Sequence, residues 1–322
     1  MIHRRGPGRM RRWWAPALVA VLVLVYALLG ERLRDGLGLP GSGAAPAKGA
    51  GLRVATWNLR NFPEPTQDQR RLRERLQSLG ADLLAVQEIH DPVALQSLLP
   101  GWQLQLSEHG GRGHQRLGIA FDPAVLELVE PAREHPELGM GGRVRPGLSA
   151  YLRARDGGPD FHVLVVHLKA KPDGYPLRLK QWSLLAAIAG DLLRRDPDLI
   201  ILGDFNPTGK KDGTPEAELA TLAAVLEPLG LRRLAPDSPC SAYWDGSRRD
   251  AWHEPSLLDL VWVAALDEGL GPATGVRPLH HCARHHCQPF RSTQAHPEPD
   301  YADISDHCPV MLDLNSGRDD DP

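Results

Sequence analysis

The sequence carries no marked excess of charge: 37 Lys and Arg face 40 Asp and Glu, a formal net charge of −3 over 322 residues. That absence excludes a chain held to nucleic acid by bulk basic charge and leaves only local basic patches open. Cysteine is sparse, with four in the chain, so the fold is not a disulfide scaffold. Zinc signatures are missing too: there is no His-Glu-x-x-His helix, no Asp-x-His near the start and no later Asn-His-Glu/Asp. No repeat at a solenoid or propeller period is present. What remains, 42% hydrophobic and 24% charged, is ordinary globular material, long enough for one large domain with appendages.

The appendages are distinct. Residues 1–12 form a basic segment containing Arg4, Arg5, Arg9, Arg11 and Arg12, and 13–30 is an uncharged apolar run. At ~1.5 Å per residue that run just crosses a ~30 Å hydrocarbon core. The upstream arginines outnumber Arg32 and Arg34 beyond it, and Trp13 and Trp14 sit at an interfacial position. This pattern predicts a single-pass transmembrane signal-anchor, the N-terminus cytoplasmic and the body extracytoplasmic. A cleaved signal peptide is the competing reading, but no small-x-small site follows the run closely. Residues 31–50 read as a flexible linker, 51–315 as one globular domain and 316–322 as a disordered acidic tail. Nothing in the sequence points to an obligate protein partner.

Within 51–315, short apolar segments alternate with helical patterns. Strands are expected at 52–58, 82–88, 117–121, 198–204, 257–263 and 308–314, with a hairpin around Asp156-Gly157-Gly158. Helices are expected from an N-cap at Thr66 to Gly80, from Asp91-Pro92, over 177–195 and over 215–227. Such an alternation implies an α/β fold, a four-layered sandwich of two mixed sheets flanked by helices.

Chemistry collects at the strand ends. Asn58, Glu88, His167 and Asp204 close apolar runs, while Asp259 and Asp306-His307 open them. Any one alone is more often a turn residue than a catalyst, but antiparallel strands would bring all of them to one edge. The set is rich in oxygen and suits Mg²⁺, or Mn²⁺, rather than a soft metal. Arg112, Arg116, Arg143, Arg145, Lys169, Lys171, Lys210 and Lys211 lie near these ends. Arg116 and Lys169, nearest the motifs, are the candidate phosphate contacts, with ordinary surface charge as the bland reading. The segment 241–255 carries Trp244, Trp252, Arg248 and Arg249, suited to stack a base, grip a lipid headgroup or simply pin a long loop. In the His/Cys-dense segment 279–288 a Cys282–Cys287 staple is expected ahead of a metal site, and Cys308 reads as a small buried hydrophobe.

Six segments in order then become specific: TWNLRNF (56–62), LLAVQEIHDP (83–92), VVHL (165–168), GDFN (203–206), LLDLVWV (257–263) and SDHCPV (305–310). Together they resemble the motif set of the endonuclease/exonuclease/phosphatase superfamily over residues 52–314, nearest to its pancreatic-type deoxyribonucleases. Bacterial sphingomyelinases share the last motif, and abasic-site enzymes carry tyrosine where His167 stands. The resemblance implies a metal-dependent phosphodiesterase, most similar to a nuclease. A phosphomonoesterase or phospholipase C-type hydrolase is the alternative, and a catalytically silent binding relative the second. It implies Glu88 as the main Mg²⁺ carboxylate, with Asn58 and Asp306 beside it. His307 would pair with Asp259 and hydrogen-bond the phosphoryl group, Asp204 would position or deprotonate water, Asn206 would hold a phosphate oxygen and His167 would be the leaving-group acid. Arg60 matches a retained substrate-binding arginine. Two departures stand out: Gln115 replaces the glutamate that orients the histidine matching His167, and His90 replaces a groove-reading arginine.

Overall fold

Both faces of the central strands are apolar, and this requires a packed layer on each side. In Asp160–His167, Val163 and Val165 pack into one cluster of buried side chains and Leu164 and Val166 into another, so neither face meets water. A strand buried on both sides must be covered on both faces, and here a second sheet covers one and helices the other. The structure, a computed structural model, describes residues 43–49, 51–209, 213–246, 250–266, 270 and 275–315. The expected anchor, most of the linker and the acidic tail lie outside the described residues, as do Lys210, Lys211, Arg248 and Arg249. Among the described residues, no helix is long and apolar enough to cross a membrane.

One six-stranded sheet runs β13 (Arg277–Pro278), β15 (Val310–Asp313), β1 (Arg53–Phe62), β2 (Leu83–Ile89), β4 (Arg116–Phe121), β3 (Gln103–Leu106). The other runs β5 (Leu126–His135), β6 (Gly147–Ala154), β7 (Asp160–His167), β8 (Leu199–Asp204), β12 (Asp259–Ala264), β9 (Arg232–Arg233). Each is mixed: β1–β2 and β7–β8 are parallel and their other neighbours antiparallel. The inter-sheet core joins Val54, Leu83 and Ile119 to Val163, Val165, Leu202 and Val261. Helices α1 (Gln69–Leu79) and α2 (Pro92–Leu98) supply Leu72, Leu76, Leu95 and Leu98 to the outer face of the first sheet. Helices α3 (Tyr175–Leu193) and α4 (Pro215–Leu226) cover the second with Trp182, Leu185, Leu222 and Leu226. The expected four layers are present.

Two local expectations are corrected. The N-cap of α1 is Asp68, whose Oδ1 accepts the Arg71 N–H at 2.9 Å, and not Thr66. The chain is held before the helix by buried Gln67, whose amide donates to the carbonyls of Leu59 and Ile304, so the helix starts beyond that anchor. The disulfides are Cys240–Cys287 and Cys282–Cys308, replacing the expected Cys282–Cys287 staple and the expected free Cys308. Cys282 lies in the short helix α5 (His280–Arg284) and faces Cys308, while Cys287 lies past its end and turns to Cys240. His281, Cys282 and Cys308 bring ligand atoms within 4.8 Å of one another. With both sulfurs in one disulfide, neither is a thiolate ligand. A three-stranded sheet, β10 (Ala242–Trp244), β11 (Trp252–Ser256) and β14 (Phe290–Arg291), completes the strands; helix α6 (Pro299–Asp303) follows.

Candidate active site

The inner rows of the second sheet end in polar residues. Cα register places His167 opposite Asp204 and Asp204 opposite Asp259 on three adjacent strands. Their rows continue the inward-facing Val165, Leu202 and Val261, so all three side chains emerge where the inter-sheet core stops. Gly203 permits that spacing: at φ 129°, a Cβ there would lie 2.1 Å from the Val166 carbonyl oxygen.

The first sheet contributes through broken register. Pairing slips between Asn58 and Phe62 on β1, and between Val86 and Ile89 on β2. Arg60, Asn61 and Glu88 have φ of 47°, 52° and 64°. Bulges of this kind re-aim side chains, and a glutamate in the left-handed region is held there by its surroundings. Glu88 Oε2 accepts the Asn61 N–H at 2.8 Å and Oε1 accepts from Asn58 Nδ2 at 3.3 Å. The same Asn58 nitrogen lies 3.2 Å from Asp204 Oδ2, and its Oδ1 accepts the Arg60 N–H at 3.0 Å. Asn58 therefore stitches the two sheets together at the site.

His307 arrives on the loop before β15. Ser305 Oγ donates to the Asn58 carbonyl at 2.7 Å, and Trp57 Nε1 donates to the His307 carbonyl at 2.9 Å. His307 Nδ1 is 2.8 Å from Asp259 Oδ2, which also accepts the Ser241 hydroxyl at 2.8 Å. His307 Nε2 lies 3.9 Å from Asp204, and His167 Nε2 lies 3.2 Å from Asp204 and 3.7 Å from Glu88. His167 Nδ1 is buried without a partner.

Burial and neighbours divide the titrating groups. Burial, with the Asp259 and Glu88 charges adding to it, raises the Asp204 carboxyl to about 7 against His307 and Arg145. Burial drives His167 well below its ordinary value, and Arg145 and His307 push the same way. At His307 burial acts downward, but Asp259, through charge and hydrogen bond, and then Asp204 and Asp306 hold it well above the ordinary value. The site thus pairs one imidazolium with one neutral imidazole.

Asn58, Glu88, His167, Asp204, Asp259 and His307 converge as the strand ends implied. Asp306 is half-buried beside them, its carbonyl taking the Tyr243 N–H at 2.9 Å. Buried Asn206 donates its backbone N–H to Asp204 Oδ1 at 3.0 Å and its amide to the Leu168 carbonyl at 3.3 Å. Gln115 does not orient His167: its Nε2 donates to Asn61 Oδ1 at 2.7 Å. It stands just before β4, whose sheet lies opposite that of His167, and braces the loop that fixes Glu88. Arg60 likewise turns from the cleft: its guanidinium donates to the Tyr301 and Ala302 carbonyls at 2.9 and 3.0 Å. Arg116 is half-buried and bonded to the Ser107 carbonyl, and Lys169 Nζ donates to the Ala170 carbonyl at 3.1 Å.

The residue that the sequence undervalued is Arg145. It is 9% exposed, its Nη2 donates to the Leu168 carbonyl at 2.7 Å, and its Nε has no partner. Its charge acts on both Asp204 and Glu88, although burial works against that charge. It lies within the run VRPGLSA that leads into β6 and is buried throughout, a setting that no pattern in the sequence marks. Arg112, Arg143 and Lys171 are exposed.

A family model described as Endonuclease/Exonuclease/phosphatase family matches residues 55–307. Solved structures of similar fold include the human Nocturnin catalytic domain with bound sulfate, 18% identical over 83% of this chain and 94% of that one, TM-score 0.57. D. rerio TDP2 complexed with single strand DNA product is 14% identical over 83% of this chain and 100% of that one, TM-score 0.59. A mannosyl-6-phosphatase of Bacteroides thetaiotaomicron is 19% identical over 82% of this chain and 99% of that one, TM-score 0.56. At these identities the likeness shows a shared fold. No curated protein matches the chain.

Proposed function

The chain belongs to the endonuclease/exonuclease/phosphatase family, and on that premise we propose that it is a phosphodiester hydrolase acting on nucleic acid. The observation that carries this reading is the pairing of His307 with Asp259 at 2.8 Å beside a buried Asp204 and the partnerless Nε of Arg145. Arg145, Asn206 and the His307 imidazolium are donors suited to phosphoryl oxygens. Asp204, raised to about 7 by burial, suits a group that positions and deprotonates water. Little covalent chemistry is asked of the protein, since in-line attack on phosphorus is mostly positioning and charge stabilisation.

His167 fits a different role from the one the resemblance implied. A buried imidazole held neutral is a poor proton donor, and its Nε2 faces Asp204 at 3.2 Å. We assign it to orienting Asp204, and we assign proton donation to His307.

The donor set fits a hard divalent cation, Mg²⁺ or Mn²⁺. Glu88 and Asp204 both approach the Asn58 amide nitrogen, at 3.3 and 3.2 Å, and among the described residues neither forms an ion pair with Lys or Arg. Glu88 with Asn58 and Asp306 would hold the ion, whose chemistry is to neutralise phosphate charge and stabilise the leaving oxygen. Hydrolysis assays of the full chain with single-stranded DNA, plasmid, RNA, sphingomyelin, a sugar phosphate and bis-p-nitrophenyl phosphate, with Mg²⁺ or EDTA, test the proposal. Diester cleavage of nucleic acid in Mg²⁺ alone is expected. Cleavage confined to monoesters or sphingomyelin would overturn the substrate, and full activity in EDTA would overturn the metal.

A further inference from the structure

Large apolar side chains are costly to leave in water, and among the described residues only Val93, Leu179, Trp244 and Trp252 stand exposed. The two tryptophans share one face of the β10–β11–β14 sheet. Tyr243, His253 and Phe290 point to the opposite face, where their rings pack together beside the disulfides. Alternation therefore sends Trp244, Trp252, Glu254 and Arg291 outward. Trp244 pairs with Glu254 in register, which makes Trp252 its diagonal neighbour at roughly 7–8 Å. Trp252 pairs with Arg291, whose guanidinium lies 5.9 Å from the indole centroid. Trp244 is 54% and Trp252 45% exposed, although ordinary structural tryptophans bury their rings.

This face is tied to the candidate active site. Ala242, two residues before Trp244, bridges to His307, and the Tyr243 N–H bonds the Asp306 carbonyl at 2.9 Å. Trp244 is therefore about 7 Å along an extended strand from the residue paired with His307. The Cys240–Cys287 and Cys282–Cys308 bridges hold both ends of this connection.

We propose that this face, Trp244 and Trp252 with Arg291 beside them, is a stacking platform for unpaired bases of the strand whose phosphate lies at His307. The proposal rests on the nuclease reading and adds a preference for single strands or frayed ends. Bases inside a duplex have both faces covered by their neighbours, whereas unpaired bases offer a free ring face to an indole. Arg291 is placed to meet the backbone of the same strand. Insertion of this face into a bilayer would strip water from the carboxylates of Glu254 and Asp250 on its rim, whereas a stacked base leaves them hydrated.

The test uses the full chain and its Trp244→Ala, Trp252→Ala, Trp244→Phe and Trp252→Phe variants. Binding of a labelled single-stranded oligonucleotide and of its duplex is measured in EDTA, where strand cleavage does not interfere. Each alanine should weaken single-strand binding roughly 5- to 100-fold, each phenylalanine should restore most of it, and duplex binding should respond far less. In Mg²⁺, activity on the oligonucleotide relative to bis-p-nitrophenyl phosphate should fall, chiefly through KM. Wild-type single-strand binding by the alanine variants, or equal losses on duplex, would overturn the platform. So would losses confined to sphingomyelin vesicles, which would mark a lipid-facing surface. A wild-type chain that cleaves none of these esters defeats the nuclease reading, and the binding measurements still decide the platform.

Discussion

At the scale of single residues, the two histidines of the site differ in charge, and that difference can be measured. His307, stabilised as an imidazolium by Asp259, is the proton donor in the proposed reaction. His307→Ala should slow nucleic-acid cleavage on the order of 10²–10⁴-fold and cost much less on bis-p-nitrophenyl phosphate, whose nitrophenolate leaves without a proton. His167→Ala should cost about the same on both substrates, because its contact is with Asp204. Steady-state rates on the two esters decide between them, and the reverse pattern would return the acid role to His167. Glu88→Gln preserves size and removes the charge; it should lower kcat/KM on the order of 10²–10³-fold, with partial recovery at higher Mg²⁺. Unaltered Mg²⁺ dependence in that variant would count against Glu88 as a ligand. Residues of this kind were legible in the sequence because β7 and β8 are apolar on both faces and stop abruptly at His167 and Asp204. Arg145 and Gln115 were not legible in the same way. Their positions depend on which loop of one sheet meets which strand of the other, and no local pattern encodes that.

Between elements, α3 and α4 are joined by one buried ion pair. Arg178 and Glu218 are both buried; Nη2 donates to Oε2 at 2.9 Å, and Nη1 donates to the Lys171 carbonyl at 2.8 Å. Arg178→Met leaves Glu218 buried and unpaired, which typically costs about 3–5 kcal/mol. Adding Glu218→Leu should recover much of that loss, and urea midpoints of wild type, single and double variants give the answer. If the double variant is as unstable as Arg178→Met, the arginine's bonds to loop carbonyls are the larger contribution. Helix 177–195 was anticipated within two residues of the observed Tyr175–Leu193, since its apolar spacing is strong. Its buried arginine was not anticipated, because periodicity carries no information about a partner forty residues away. The disulfides failed as expectations for a related reason. Four cysteines admit three pairings, and only the fold places Cys282 against Cys308 and Cys287 against Cys240.

Over the whole molecule, four buried histidines outside the candidate site tie stability to pH. Burial lowers His135, His162 and His281 to about 4 and His280 to about 3, from an ordinary 6.5. Below about pH 6.5 the unfolded chain takes up protons that the folded chain refuses, so unfolding becomes easier as the pH falls toward 4. The contribution is full above 6.5, and each such group can steepen the loss by as much as about 1.4 kcal/mol per pH unit. Denaturant midpoints between pH 7 and 4 should show that decline, and His135→Gln, which keeps a donor for Ser149, should flatten it. A slope that His135→Gln leaves unchanged would mean that this ring protonates within the fold. The division of the site between sheets has a different consequence. Asn58 and Glu88 come from one sheet, and His167, Asp204 and Asp259 from the other. Neither sheet holds a working set, so turnover reports on the docking of two halves. A chain cut in the crossover between β4 and β5 would regain activity only as fast as its pieces reassemble.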